Sequence, residues 1–396
     1  MKKEVVFVGL SGGVDSAVSA ALLKEKGFEV VGVFIKTWHP DFLECNEEEE
    51  RRDAMRVAAF LDIPFLTFDL ENVYKKEVAD YMISEYKKGR TPNPDVMCNK
   101  EVKFGAFLKK ALSMGADYVA TGHYAQSQGM VNFARGRFQS RALRTGVIRK
   151  NSSFPKISLL QSVDPSKDQS YFLWTLRQEQ ISKILFPVGG FQKSEVRKLA
   201  TKFKLPVAEK KDSQGICFLG AVDLKEFLKH YIKEKKGKVV LAPSAGNEKG
   251  EEIGWHNGVV FSTLGERHGF TITKKSPNDK PYYVVAKDLN KNTLIVSQQK
   301  TNNSSAFLHP AGGTFRSKNS LFSVVIENTN WISEVPVEGK DYTAQIRYHG
   351  EFLPCKIKIT GKDTAEVIFN KPVLVASGQS CVVYDKAVCL GGGVII

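Results

Sequence analysis

Near the amino terminus, Gly9-Leu10-Ser11-Gly12-Gly13-Val14-Asp15-Ser16 gathers glycines, two hydroxyls and a carboxylate into one short stretch. Glycines let a backbone turn its N–H groups inward, and a helix beginning at the end of the turn adds positive potential. The segment therefore reads as a phosphate cradle; its bland alternative is a tight turn with an Asp helix cap. No Gly-Lys-Ser/Thr follows, so it is not the loop whose lysine serves β/γ-phosphate chemistry. The other reactive groups are thiols. Cysteines at 45, 98, 217, 355, 381 and 389 include no Cys-x-x-Cys pair, so neither a zinc ribbon nor an iron–sulfur site is signalled, and no metal site is expected. Cys98 follows Asn93-Pro94-Asp95 and is expected to open a helix, where the dipole lowers a thiol pKa. Asp95, three residues earlier, suits either a general base or a group that holds a substrate ring. Cys217 follows Gly215 in a stretch without a clear period, which fits a loop better than a core strand. Cys45, Cys355, Cys381 and Cys389 read as small buried hydrophobes.

The elements that must position these groups alternate over the first third of the chain. Val5 to Gly9, Val30 to Ile35, Phe65 to Leu70 and Asp117 to Thr121 are short apolar runs typical of buried parallel strands. Helical spacing fills Asp15 to Lys26, Glu47 to Leu61, Val73 to Lys88 and Val102 to Met114. Such repeated βα units predict an α/β doubly wound parallel sheet, with ligands at the carboxyl ends of its strands. Residues 126–160 interrupt the pattern with Arg135, Arg137, Arg141, Arg144, Arg149, Lys150 and Lys156 and no acidic residue, either a solvated hairpin or an added phosphate-contacting surface. Helical periodicity returns from Glu179 to Leu185 and from Ser194 to Phe203, with one more short helix from Leu224 to Ile232. Beyond it, β-branched and aromatic runs such as Tyr342 to Tyr348 and Ser380 to Tyr384 predict an antiparallel barrel or sandwich. Residues 1–215, 216–277 and 278–396 are the expected domains: catalytic, small and mixed, and β-barrel.

The chain carries 57 Lys and Arg against 43 Asp and Glu, a net charge of +14, which favours a polyanionic partner such as nucleic acid. No run of about 18 apolar residues occurs, and the apolar run at Val5 is too short for a signal-peptide core, so a cytoplasmic location without membrane attachment is expected. A reducing compartment makes any disulfide catalytic rather than structural.

The Ser-Gly-Gly-x-Asp-Ser core resembles the pyrophosphatase loop of adenylating enzymes, which split ATP between its α- and β-phosphates. Further motifs narrow the resemblance. Asn93-Pro94-Asp95-Val96-Met97-Cys98-Asn99 with Lys103-Phe104-Gly105, and Ala120-Thr121-Gly122-His123-Tyr124, resemble the tRNA-specific 2-thiouridylases. So do Lys167-Asp168-Gln169-Ser170-Tyr171-Phe172-Leu173, Asp212-Ser213-Gln214-Gly215-Ile216-Cys217-Phe218, and Ser377-Gly378-Gln379 with Leu390-Gly391-Gly392-Gly393. By this resemblance Gly9, Leu10, Ser11, Gly12, Gly13, Val14, Asp15 and Ser16 hold ATP with its Mg2+, and the backbone at Ile35 and Gly122 flanks the adenosine. The family usually has methionine where this chain has Ile35, a change that a backbone contact survives. Cys217 is implied as the persulfide carrier and Cys98 as its partner in a transient disulfide. Asn93, Pro94 and Asp95 would meet the uridine, while His123, Lys167, Asp168, Gln169, Arg347, Tyr348 and Gln379 would touch tRNA. The partners implied are tRNA and a persulfide donor, either a cysteine desulfurase or a sulfur-relay protein.

The chemistry agrees with those roles. A uridine C2 carbonyl is a poor electrophile because its oxygen cannot leave; adenylation converts that oxygen into part of AMP. A persulfide is more acidic and more nucleophilic than a thiol, and a second thiol is needed to break the remaining sulfur–sulfur bond. Two other classes compete. A small-molecule adenylating ligase needs neither two placed cysteines nor such a charge excess. An RNA-binding protein with a relic nucleotide fold needs none of Ser11, Asp15, Cys98 and Cys217.

Overall fold

The computed structural model describes residues 3–43, 46–128, 156–212, 223–242, 250–274, 279–298 and 323–396. The first unit is built on β1 (Val5–Gly9), β2 (Glu29–Lys36), β3 (Phe65–Asp69) and β4 (Tyr118–Ala120). Two short strands, β5 (Gln126–Gln128) and β6 (Ser158–Leu160), then depart for another sheet, and β7 (Ile184–Leu185) completes a parallel sheet in the order β3-β2-β1-β4-β7. Val6 and Val8 of β1 face one buried cluster and Phe7 faces the other, which is why these strands read as continuous apolar runs. The helices are α1 (Val14–Glu25), α2 (Glu47–Phe60), α3 (Glu71–Tyr74), α4 (Tyr81–Lys87), α5 (Pro94–Met97), α6 (Leu108–Ser113), α7 (Gln178–Ile181), α8 (Lys193–Lys202) and α9 (Leu224–Lys229). Helical segments of π type, Lys75–Asp80 and Cys98–Phe107, join α3 to α4 and α5 to α6.

The helical period expected over Glu179 to Leu185 survives only in α7. Ile184 and Leu185 instead add a strand beside Val119 and Ala120, because both are fully buried at the sheet edge and that burial outweighs local periodicity.

The second unit is a sheet of β8 (Gly237–Leu241), β9 (Glu252–His256), β10 (Phe270–Ile272), β11 (Tyr283–Asp288) and β12 (Thr293–Ser297), ordered β10-β9-β8-β12-β11. The boundary expected between residues 277 and 278 falls inside it. β12 runs parallel to β8, and Leu294 and Val296 share a core with Val239 and Ile253, so both strands after 278 belong here.

The third unit comprises β13 (Ser323–Trp331), β14 (Asp341–Gln345), β15 (Leu353–Ile359), β16 (Thr364–Phe369), β17 (Ser380–Asp385) and β18 (Val388–Ile395). Pairing of β13 with β18 closes these six strands into a barrel. β6 pairs with β18 and β5 with β6, so the ends of the basic segment extend the barrel sheet. Arg135, Arg137, Arg141, Arg144, Arg149 and Lys150 lie outside the described residues; Lys156 is exposed.

Contacts between units are direct. The Thr91 N–H donates to Ser377 O at 2.7 Å, Trp174 Nε1 to Ser380 Oγ at 3.0 Å, and Lys287 Nζ to Gly89 O at 2.7 Å. Among the described residues no helix is long and apolar enough to cross a membrane.

Candidate active site

β1 lies between β2 and β4, where the strand order reverses, so the loop after it occupies the switch point of the sheet. Leu10 N donates to Val33 O at 2.8 Å, which carries the pairing one residue past β1 before the chain turns. Gly12 then takes φ +71°, and a Cβ there would stand 2.4 Å from Glu50 O of α2. Ser16 Oγ accepts from Ser11 N at 3.2 Å and donates to Gly13 O at 3.0 Å, which braces the turn against the first turn of α1. Gly122 closes the site from β4. A Cβ on it would stand 2.7 Å from Ser16 N, so a side chain would push the two loops apart. Ile35 is buried on β2, leaving its backbone to meet any ligand.

Behind the loop lies a set of charges that joins Asp15 and Lys167 to two cations sequence reasoning missed, Lys193 and Arg197. Lys193, the first residue of α8, places Nζ 2.8 and 2.9 Å from the two carboxylate oxygens of Asp15 and 2.9 Å from Asp212 Oδ1. Asp212 also takes Lys167 at 3.1 Å and a short contact from Arg197. Burial alone would raise the Asp212 pKa, but its hydrogen bonds to Lys193 and Lys167 prevail and hold it at about 2. Tyr124 OH donates to Asp15 Oδ1 at 2.8 Å; burial, then the Asp15 charge, pushes this phenol far up. Gln169 Oε1 accepts from Tyr124 N at 2.9 Å, so the Lys167-Asp168-Gln169 motif grips the loop by two routes. The one sequence hint to Lys193 was indirect: a phosphate loop without its own lysine needs a cation from elsewhere.

The segment that carries Cys98 reaches the loop through its far end, where the Phe107 ring would stand 3.9 Å from a Cβ at Gly9. Asn93 Oδ1 accepts from Val96 N at 3.1 Å and Pro94 occupies the first helical turn, so Asn93 caps α5. The helix consequently begins at Pro94 rather than at Cys98. Cys98 lies one turn inside, 1% exposed, with its own amide bonded to the Pro94 and Asp95 carbonyls. Cys217 and Cys45 lie outside the described residues. Asn99 Nδ2 donates to Phe172 O at 3.4 Å, and the Phe172 ring packs 4.3 Å from that of Tyr348. Burial, aided by Asp168 and Asp95, pushes the Tyr348 phenol up to about 12. The neighbouring Arg347 guanidinium approaches Gly265 of the second unit, so all three units converge here. Gln379 is half-buried before β17, and its Oε1 has no hydrogen-bond partner among the described residues.

Other residues expected at the RNA have partners within the protein. His123 is buried, its Nδ1 2.8 Å from Thr121 Oγ1 and its ring near Phe104 and Phe186. Burial, reinforced by Lys103, holds its pKa well below the usual value, so the imidazole is neutral. Asp168 is buried and accepts from Ser162 N at 2.9 Å and Ser170 Oγ at 2.9 Å; desolvation still raises its pKa.

A family model described as the tRNA methyl transferase HUP domain matches residues 4–221. Models for a PRC-barrel domain and an aminomethyltransferase β-barrel domain match 225–298 and 323–395. A tRNA-specific 2-thiouridylase of Streptococcus thermophilus is 41% identical over 400 residues, spanning 99% of this chain and 95% of that protein. A Bacillus velezensis protein of the same name is 41% identical over 397 residues, 98% of this chain and 94% of its own. Among solved structures, a 4-thiouridine synthetase in complex with RNA and ATP shares 19% identity over 57% of this chain and 50% of that one, with TM-score 0.32.

Proposed function

The chain belongs to the tRNA-specific 2-thiouridylase family, and we propose that it replaces the C2 oxygen of the wobble uridine of tRNA with sulfur at the carboxyl edge of its parallel sheet. The observation that carries this reading is the meeting of the Gly9–Ser16 loop with Gly122 and the Lys167-Asp168-Gln169 motif, beside the helix that bears Cys98.

The loop suits a triphosphate: Gly12 adopts a backbone that only glycine takes cheaply, and the start of α1 directs its free N–H groups at the turn. ATP enters as its magnesium complex, with the backbone at Ile35 and Gly122 along the adenosine. The uridine C2 oxygen attacks the α-phosphorus, N3 gives its proton to a base, and the bond to the β-phosphate breaks with its electron pair on pyrophosphate. Asp95, in the first turn of α5 and half-buried, is the group assigned to that proton. Cys217, loaded as a persulfide by a sulfur donor, attacks C2 through its terminal sulfur, and AMP leaves. The Cys98 thiolate then attacks the inner sulfur of Cys217, and the sulfur–sulfur bond breaks with its electron pair on the sulfur now bound to C2. N3 regains a proton, a Cys98–Cys217 disulfide forms, and an external dithiol restores both thiols. With Cys98 only 1% exposed, this last exchange requires the Asn93–Met97 turn to shift. Arg347, Tyr348, Gln379 and Lys167 form the RNA-facing set, while His123 and Asp168 are buried and brace the loops on which they sit.

The test is reconstitution with transcribed tRNA, ATP and a persulfide donor, followed by mass spectrometry of the nucleosides and assay of pyrophosphate. Expected are 2-thiouridine and pyrophosphate release that strictly requires tRNA. Pyrophosphate released with an amino acid alone would identify a small-molecule ligase instead.

A further inference from the structure

We propose that Lys193 is the phosphate-binding cation that the Gly9–Ser16 loop lacks in its own sequence, and that it engages the β- and γ-phosphates of ATP and the departing pyrophosphate. The inference rests on the ATP-dependent reading above and deepens it by naming a residue far along the chain. Its starting point is a charge problem. Asp15 places a carboxylate in the first turn of α1, next to the turn that must receive a polyanion. Unless neutralised, that carboxylate would repel phosphate at the position where the helix dipole attracts it.

The fold resolves this with groups from outside the loop. Lys193 Nζ reaches both Asp15 oxygens and Asp212 Oδ1, so its three N–H donors match three carboxylate oxygens. Tyr124 OH donates to Asp15 as well. Asp164 completes the set, accepting from Lys193 N at 2.9 Å, so the cations Lys167, Lys193 and Arg197 face the carboxylates Asp15, Asp164 and Asp212. The Lys193 side chain is 14% exposed, so its ammonium is largely stripped of water and a hydrogen bond from it to phosphate acts in a weakly screened setting. Lys167, 39% exposed, is the more accessible member and lies on the same Asp212 carboxylate. When phosphate arrives, Lys193 exchanges one carboxylate oxygen for a phosphate oxygen while Tyr124 keeps its bond to Asp15. In the adenylation step it balances the charge that gathers on pyrophosphate as the α–β bond breaks.

The experiment is calorimetric titration of wild type, Lys193→Met and Lys193→Arg with magnesium pyrophosphate, ATP and AMP. Losing one charge-assisted hydrogen bond predicts that Lys193→Met weakens pyrophosphate and ATP binding about tenfold to hundredfold. AMP, which lacks the β- and γ-phosphates, should change less than about threefold under the same reasoning. Lys193→Arg, which keeps the charge, should recover most of the pyrophosphate affinity and remains informative should the methionine variant fold poorly. Unchanged pyrophosphate binding in Lys193→Met, or equal weakening of AMP and pyrophosphate, overturns the assignment while leaving ATP-dependent thiolation intact. A wild-type protein that binds no ATP overturns the functional reading itself, together with this role.

Discussion

Alanine at Gly12 should damage the phosphate loop, while alanine at its neighbour Gly13 should leave the fold alone. Gly12 sits at φ +71°, where a side chain costs about 1–2 kcal/mol before any contact is considered. The added Cβ would also meet Glu50 O at 2.4 Å, Glu50 C at 3.1 Å and Asp53 Cβ at 3.2 Å. Two of these are backbone atoms at the start of α2, so no side-chain rotation relieves them, and the loop or the helix must move by up to about an ångström. The combined cost is about 2–4 kcal/mol of stability, within the range of substitutions that strain backbone and packing together. Gly13 has φ −98° and ψ 167°, and its Cβ would meet only Ser11 Oγ at 3.4 Å. That change should stay within about 0.5 kcal/mol. Urea denaturation of both variants measures the difference. Nucleotide titration measures the functional cost, since a displacement of about an ångström in a phosphate site lowers turnover by about a hundredfold. Equal urea midpoints for Gly12→Ala and wild type would refute the placement of the loop against α2.

Three further outcomes are expected. Cys98→Ala and Cys217→Ala should each abolish 2-thiouridine formation while tRNA affinity in filter binding stays near wild type, and only Cys217→Ala should lose the protein-bound persulfide in intact-mass spectra. Asp212→Asn should destabilise the protein at pH 7. Because the Asp212 pKa falls from 3.8 to about 2 on folding, its contribution is present above pH 3.8 and fades as pH drops towards 2. The full shift corresponds to at most about 2.5 kcal/mol, and solvent screening of a partly exposed carboxylate reduces this to about 1 kcal/mol. Urea midpoints of the two proteins should therefore converge in acid. Asn93→Ala removes the cap of α5 and should cost about 1 kcal/mol. Thiolation should slow and ATP affinity hold, as checked by single-turnover assay and titration.

By itself the sequence determined the elements whose signals are local. The buried strands β1 to β4, the loop Gly9–Ser16 and the alternation of β and α follow from apolar runs bounded by glycine and caps. These depend on neighbours within about ten residues, as does the grouping of Asn93, Asp95 and Cys98. The reactive residue types were legible for the same reason, and the order of the motifs along the chain was enough to suggest the family. What the tertiary structure decided depends on groups remote in sequence. Whether Ile184 and Leu185 are helix or strand was settled by the free edge of β4, and the membership of β11 and β12 by the exposed flank of β8. The depth of Cys98 follows from where Asn93 caps, and the inward placement of His123 from the rings of Phe104 and Phe186. Above all, the cation facing Asp15 comes from 178 residues downstream. A salt bridge between such distant residues leaves no periodicity or spacing in the chain, because only the packing of α8 against α1 brings the two charges within 3 Å of each other.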